Sequence, residues 1–303
     1  MIQGITAHPI AERPNCLLVG NGINRRFSDP SWEGLIKEAM RVSKPACTYE
    51  EISNMPSTMQ IVAATADNVS SSMKDLSDQL MNIQMTEERK HFLQELIELP
   101  VDDILTANYS FELEISDGMQ QKKSAYSSHL KSTFDTKAGD RRHRLYQYYE
   151  TGNQKRIWHV HGDAAKPETM LMGHYYYAKQ LRAIQDCVAK IVRRYKYCEK
   201  DGRQFIPYSW VDQFLTGNVY IVGLGMYLCE SDLWYLLCCK KMHFPDAKTY
   251  FYDLELSDIC QRRMLETYHV EIIEGKDFHA TSYETDYYPL AFQNIRDRIL
   301  QDR

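Results

Sequence analysis

Two side chains that can divide proton handling from positioning fall where short apolar runs of this sequence stop. His161 ends the run Ile157-Trp158-His159-Val160, and an imidazole titrates near neutral pH, so it can take or give a proton. Asn108 follows Ile104-Leu105-Thr106-Ala107; its amide cannot titrate, but it can hold a hydroxyl or a water by donating and accepting. A third run, Leu17-Leu18-Val19, passes into Gly20-Asn21-Gly22-Ile23-Asn24. Without Cβ atoms at Gly20 and Gly22, a phosphate can come close to the backbone, with the loop amides free to point at it. Gly223-Leu224-Gly225 and Asp253 end two further runs.

Plainer roles compete with each of these. A histidine can be a core residue bonded to backbone, and Asn108 can cap the helix that follows it. Asp232 reads as a residue that caps or orients the helix at 233–240, and Trp32 and Trp234 read as core. His159-Val160-His161-Gly162-Asp163 also has the form of a two-metal hydrolase run, since residues 159 and 161 share one face of a strand. That pattern continues with a further histidine, and Ala164 stands there instead.

The elements that must position these groups are strands and helices in alternation. Six apolar runs, at 16–20, 104–107, 157–160, 219–223, 249–253 and 270–273, predict strands. Their continuous hydrophobicity suits a parallel sheet covered on both faces. The expected fold is therefore α/β, a Rossmann-like, mostly parallel six-stranded sheet in a single domain over 1–303. A helix is expected to open at Pro30-Ser31-Trp32, and helical insertions at about 46–99 and 166–213 are expected to form a smaller lobe. In such a sheet, ligands bind beyond the carboxyl ends of the strands, where the polar residues and glycines named above collect.

Composition excludes several classes of function. A net charge of -5 gives no general attraction to nucleic acid or to an anionic membrane. The basic stretches at 137–144 and 193–197 carry interleaved tyrosines and read as exposed helix faces, so direct nucleic-acid binding is not expected. No apolar run reaches the roughly 18 residues that span a bilayer, and the start lacks a signal peptide's layout, so a cytoplasmic chain is expected. None of the eight cysteines forms a Cys-x-x-Cys pair, which argues against a zinc ribbon and for reduced, structural thiols such as Cys16, Cys229 and Cys238.

Taken in order, the motifs resemble one family. Gly20-Asn21-Gly22-Ile23-Asn24 with the later Pro30-Ser31-Trp32 resembles the sirtuin loop Gly-Ala-Gly-Ile-Ser and its Ile-Pro-Asp-Phe, with Asn24 at the serine position. Thr106-Ala107-Asn108-Tyr109-Ser110 resembles Thr-Gln-Asn-Ile-Asp, and more nearly the Thr-x-Asn-Tyr-Asp of bacterial sirtuin-like NAD hydrolases. His161-Gly162 is similar to the catalytic His-Gly of that family, and Gly223-Leu224-Gly225 to its second glycine contact with NAD. The agreement in order covers about 16–275. Three departures are plain: the zinc-binding cysteine pairs of the deacylases are missing, Glu33 replaces an arginine, and Ser110 replaces an aspartate.

The resemblance implies an NAD glycohydrolase, a defence effector that depletes NAD on infection. Asn108 and His161 would be catalytic, while Gly20, Asn21, Gly22, Asn24, Thr106, Gly223, Gly225 and Asp253 would bind the dinucleotide. No cofactor beyond the substrate NAD, and no zinc, is implied. Cleaving the nicotinamide–ribose bond builds positive charge at the anomeric carbon while the leaving group loses its own charge, so no strong acid is needed. His161 would accept a ribose hydroxyl proton, and Asn108 would place the water or the hydroxyl. Such an activity needs restraint, which implies a separately encoded sensor or activator, or assembly into a homo-oligomer. The alternative is a non-catalytic module that senses NAD or ADP-ribose.

Overall fold

The computed structural model describes residues 10, 12–25, 27, 32–65, 69–121, 126, 128–133 and 144–301. Pro30 and Ser31 of the expected helix start, and the basic run as far as His143, lie outside them. Among these residues, eight strands form one sheet: β1 (Asn15–Val19), β2 (Asp103–Thr106), β3 (Leu130–Ser132), β4 (Gln147–Glu150), β5 (Arg156–His159), β6 (Asn218–Val222), β7 (Thr249–Asp253) and β8 (Val270–Glu274). Their order is β3-β4-β5-β2-β1-β6-β7-β8.

The six runs expected as strands are the six consecutive strands β5 to β8 of this order, and every pairing among them is parallel. The expected count of six is corrected to eight, because β3 and β4 add an antiparallel edge beyond β5 and make the sheet mixed. These two strands are three and four residues long and carry Lys131, Gln147 and two tyrosines, so they offer no buried apolar run to read.

Parallel strands need covered faces, and the alternation along β1 shows how both are covered. Leu17 and Val19 join one apolar cluster; Cys16 and Leu18 join the other, on the opposite face. Against the first pack α1 (Trp32–Ser43), α2 (Tyr49–Ile52), α3 (Ser57–Ala64), α4 (Val69–Met81), α5 (Glu87–Ile97), α6 (Glu112–Ser116) and α11 (Tyr287–Gln301). Against the second pack α7 (His174–Asp201), α8 (Trp210–Thr216), α9 (Ser231–His243) and α10 (Ile259–Thr267). The first insertion buries its apolar residues in the first cluster; the second buries Met170 and Met172 there and the apolar residues of α7 and α8 mostly in the second.

Several polar side chains are consumed by this packing. Arg144 of the first basic stretch is buried and ion-paired with Asp163 at 2.8 Å. Arg194 of the second pairs with Asp212 and lies over the rings of Phe205 and Tyr208. Cys16 is buried, whereas Cys229 and Cys238 are only half-buried. No helix among the described residues is long and apolar enough to cross a membrane.

The chain runs from β1 to β2 on one side, then from β5 back across to β6 on the other side of β1. The strand order therefore reverses between β1 and β6, and a crevice opens above their carboxyl ends.

Candidate functional site

A cavity of about 840 Å³ occupies that crevice. Asn21 and Gly22 line it from beyond β1, Ala107 to Ser110 from beyond β2, and His161 from beyond β5. Gly223 to Gly225 and Glu230 line it from beyond β6, and Asp253 from the end of β7. Asn108 and His161, far apart in sequence, thus share one cavity with the glycine loops. Trp32 packs partly against the core and also lines this space, donating from its indole to Gln60 at 2.7 Å.

Gly20, Asn24 and Thr106 stand behind the lining. The Thr106 hydroxyl accepts from the Asn108 amide N–H at 3.1 Å, so it fixes the turn that presents Asn108. Gly20 closes β1, its amide donating to Val222 O at 3.2 Å. The amide of Gly22 donates to Gly223 O at 2.7 Å. Neither glycine amide is free to face a phosphate, and that expectation is corrected. The glycines are needed for another reason: a Cβ on Gly22 would lie 2.6 Å from Gly223 O, so only glycine lets the two loops meet. Positive charge comes instead from Arg25 and Arg89, which line the cavity from beyond β1 and from α5.

Around Asn108 the polar groups form a chain. Asn108 Nδ2 donates to Glu112 Oε1 at 2.6 Å, and Ser110 Oγ donates to the other carboxylate oxygen. Asn24 Nδ2 donates to Glu112 Oε1 at 3.3 Å and to Asn21 Oδ1 at 2.9 Å, while Arg89 donates to Asn24 Oδ1 at 3.1 Å. Glu112 is buried and ties the loop after β1 to the loop after β2. It supplies a carboxylate two residues beyond Ser110, which has none.

The run His159-Val160-His161-Gly162-Asp163 is split three ways. His159 donates from Nδ1 to Asn108 O at 2.9 Å and from Nε2 to Glu114 at 2.9 Å. Burial works against a charge on this ring, but Glu114 outweighs it and the net shift of the His159 pKa is upward. Asp163 belongs to Arg144. Only His161 reaches the cavity, so the run does not converge on a metal.

His161 meets two carboxylates on the segment entering α9. Its Nε2 lies 3.2 Å from Asp232 and 3.7 Å from Glu230, whose Oε2 accepts from Tyr177 at 3.1 Å. Burial works against a charged His161, but Asp232 first and Glu230 second push its pKa up to about 9. The donor atoms of these three residues lie within 4.8 Å of one another, a spacing that would suit a metal ion, which would bind the deprotonated imidazole. Asp232 does support its helix, accepting from Leu233 N at 3.0 Å, but it also meets His161.

At the far end, Asp253 Oδ1 accepts from the Tyr283 hydroxyl at 2.7 Å and from Glu255 N at 3.0 Å. The Arg25 guanidinium lies 4.4 Å above the centre of the Tyr283 ring. Sequence reasoning missed Glu112, Arg25, Arg89 and Glu230. Glu112 alone left a usable sign, a carboxylate four residues after Asn108, close enough for the turn between them to bring the two side chains together.

The sequence matches no protein-family model and no curated protein.

Proposed function

We propose that this chain is an NAD glycohydrolase on a Rossmann-like fold, akin to the bacterial sirtuin-like NAD hydrolases. One observation carries the reading: Gly22, Asn108, His161, Gly223 and Asp253 line a single cavity at the point where strand order reverses. Its volume lies in the upper part of the range for small-molecule sites, about 300–1,000 Å³. Arg25 and Arg89 would neutralise the pyrophosphate, Asp253 would accept from the adenosine ribose, and the nicotinamide end would lie toward His161. Asn108, with its amide fixed by Glu112, would orient the ribose hydroxyl or the attacking water. His161 as an imidazolium would donate to a ribose hydroxyl or hold its position.

The reading includes a role in depleting NAD during infection, no cofactor beyond NAD, and restraint by a separately encoded partner or by self-assembly. The test is incubation of the purified protein with NAD at rising protein concentration, measuring free nicotinamide. Release is expected, and it is expected to vanish in Asn108→Ala and in His161→Ala while the circular dichroism spectrum stays native. Tight NAD binding with no nicotinamide released would instead identify a sensor of NAD or ADP-ribose.

A further inference from the structure

The attacking water gives up a proton, and the groups beside His161 offer a place for it. Two carboxylates flank His161, and they differ in access. Asp232 is fully buried and does not line the cavity; Glu230 does line it, with its side chain 15% exposed. Among the described residues, the contacts of the Glu230 carboxylate, Tyr177 at 3.1 Å and His161 at 3.7 Å, fall on Oε2, so Oε1 keeps its lone pairs for another donor.

The backbone holds this carboxylate in place. Glu230 caps α9, its amide donating to Tyr227 O at 2.9 Å and its carbonyl accepting from Trp234 N at 3.0 Å. Charge points the same way. Asp232 lies nearer His161, at 3.2 Å against 3.7 Å, and Glu230 is the one that faces the cavity, where an anion would favour both the nicotinamide cation and the cationic sugar that follows it.

Building on the NAD glycohydrolase reading, we propose that Glu230 is the catalytic general base, which takes the proton of the water that attacks the anomeric carbon. The bond from that carbon to the nicotinamide nitrogen breaks, and its electron pair neutralises the ring. The water oxygen bonds to the carbon, its proton passes to the Glu230 carboxylate, and the resulting acid returns that proton to solvent. NAD and water become ADP-ribose, nicotinamide and one proton, with no other reactant. Burial, then the charge of Asp232, raises the Glu230 pKa, while His161 and Tyr177 lower it; the net shift is upward, toward neutrality, where a general base works best.

Glu230→Gln tests this directly. Its kcat should fall by about 10²–10⁴-fold, with NAD still bound in calorimetry and with the acid limb of the pH–kcat profile gone. Glu230→Asp should recover part of the rate. The charged and titratable groups facing Glu230 are His161, Asp232, Tyr177, Tyr109 and Cys229, and none of them is changed in these variants. Tyr177→Phe, which removes the donor to Oε2, should move the acid limb to higher pH, because that hydrogen bond favours the ionised carboxylate. A hydrolase whose Glu230→Gln variant keeps wild-type kcat, or whose acid limb ignores Tyr177→Phe, overturns the assignment of Glu230 alone. A wild-type protein that binds NAD yet releases no nicotinamide overturns the glycohydrolase reading as well.

Discussion

At the scale of single residues, the cavity depends on two carboxylates that other side chains hold still. Glu112 accepts from Asn108, Asn24 and Ser110, so truncating it strands buried donors on both loops. Glu112→Ala should cost about 2–4 kcal/mol in urea unfolding and should abolish NAD turnover; Glu112→Gln, which can still accept from Asn108, should cost less than half as much. Equal unfolding midpoints for the three proteins would dismiss this role. Asp232 gives a pH signature. The His161 pKa is raised from 6.5 to about 9 on folding, so the pair stabilises fully below pH 6.5 and the benefit disappears as pH rises through about 9. The stability difference between wild type and His161→Gln should shrink over that interval; a difference independent of pH would mean that His161 is neutral. Asn108, His161, Gly22 and Asp253 were legible in the sequence because each interrupts an apolar run at a strand end. Arg25, Arg89 and Glu230 were not, because a charged residue in a helix or at a helix start looks like any solvated one until folding turns it inward.

At the scale of elements, the site is made where the loops after β1 and β6 touch. A Cβ at Gly22 would lie within 3 Å of three backbone atoms of Gly223, and neither backbone has room to yield. Gly22→Ala should therefore force the two strand ends apart, costing about 1–3 kcal/mol and weakening NAD binding at least tenfold. Gly152→Ala is the control: the nearest atom to its Cβ is 4.0 Å away, so its stability should stay within about 0.5 kcal/mol of wild type. Calorimetry and thermal unfolding of the pair measure both, and similar losses in the two variants would remove the close-approach argument. The parallel strands were legible because burial on both faces demands continuous apolar runs. The antiparallel edge was not: β3 and β4 take their place by pairing outward from β5, a tertiary fact that their few polar and aromatic residues do not announce.

At the scale of the whole molecule, the cavity joins the two helical layers. Arg89 and Trp32 reach it from the layer that contains α1 and α5, Tyr177 and Glu230 from the layer that contains α7 and α9. An occupant would bridge both layers and the strand ends between them, so it should stabilise the entire fold against unfolding. In His161→Ala, which should bind NAD without consuming it, ligand at 100 times its dissociation constant should add about 2.7 kcal/mol. For a chain of this length that amounts to a rise of about 4 °C in Tm, at about 1.6 °C per kcal/mol. ADP-ribose should give most of the rise, because Arg25, Arg89 and Asp253 would face that half of the dinucleotide. NADP should give less, because a 2′-phosphate would meet the Asp253 carboxylate. Asp253→Asn should narrow the gap between NAD and NADP, since it removes the repulsion and keeps the shape. If NADP stabilises His161→Ala as well as NAD does, or if Asp253→Asn leaves the gap unchanged, then the adenosine ribose does not lie at the end of β7, and the dinucleotide must run through the cavity some other way.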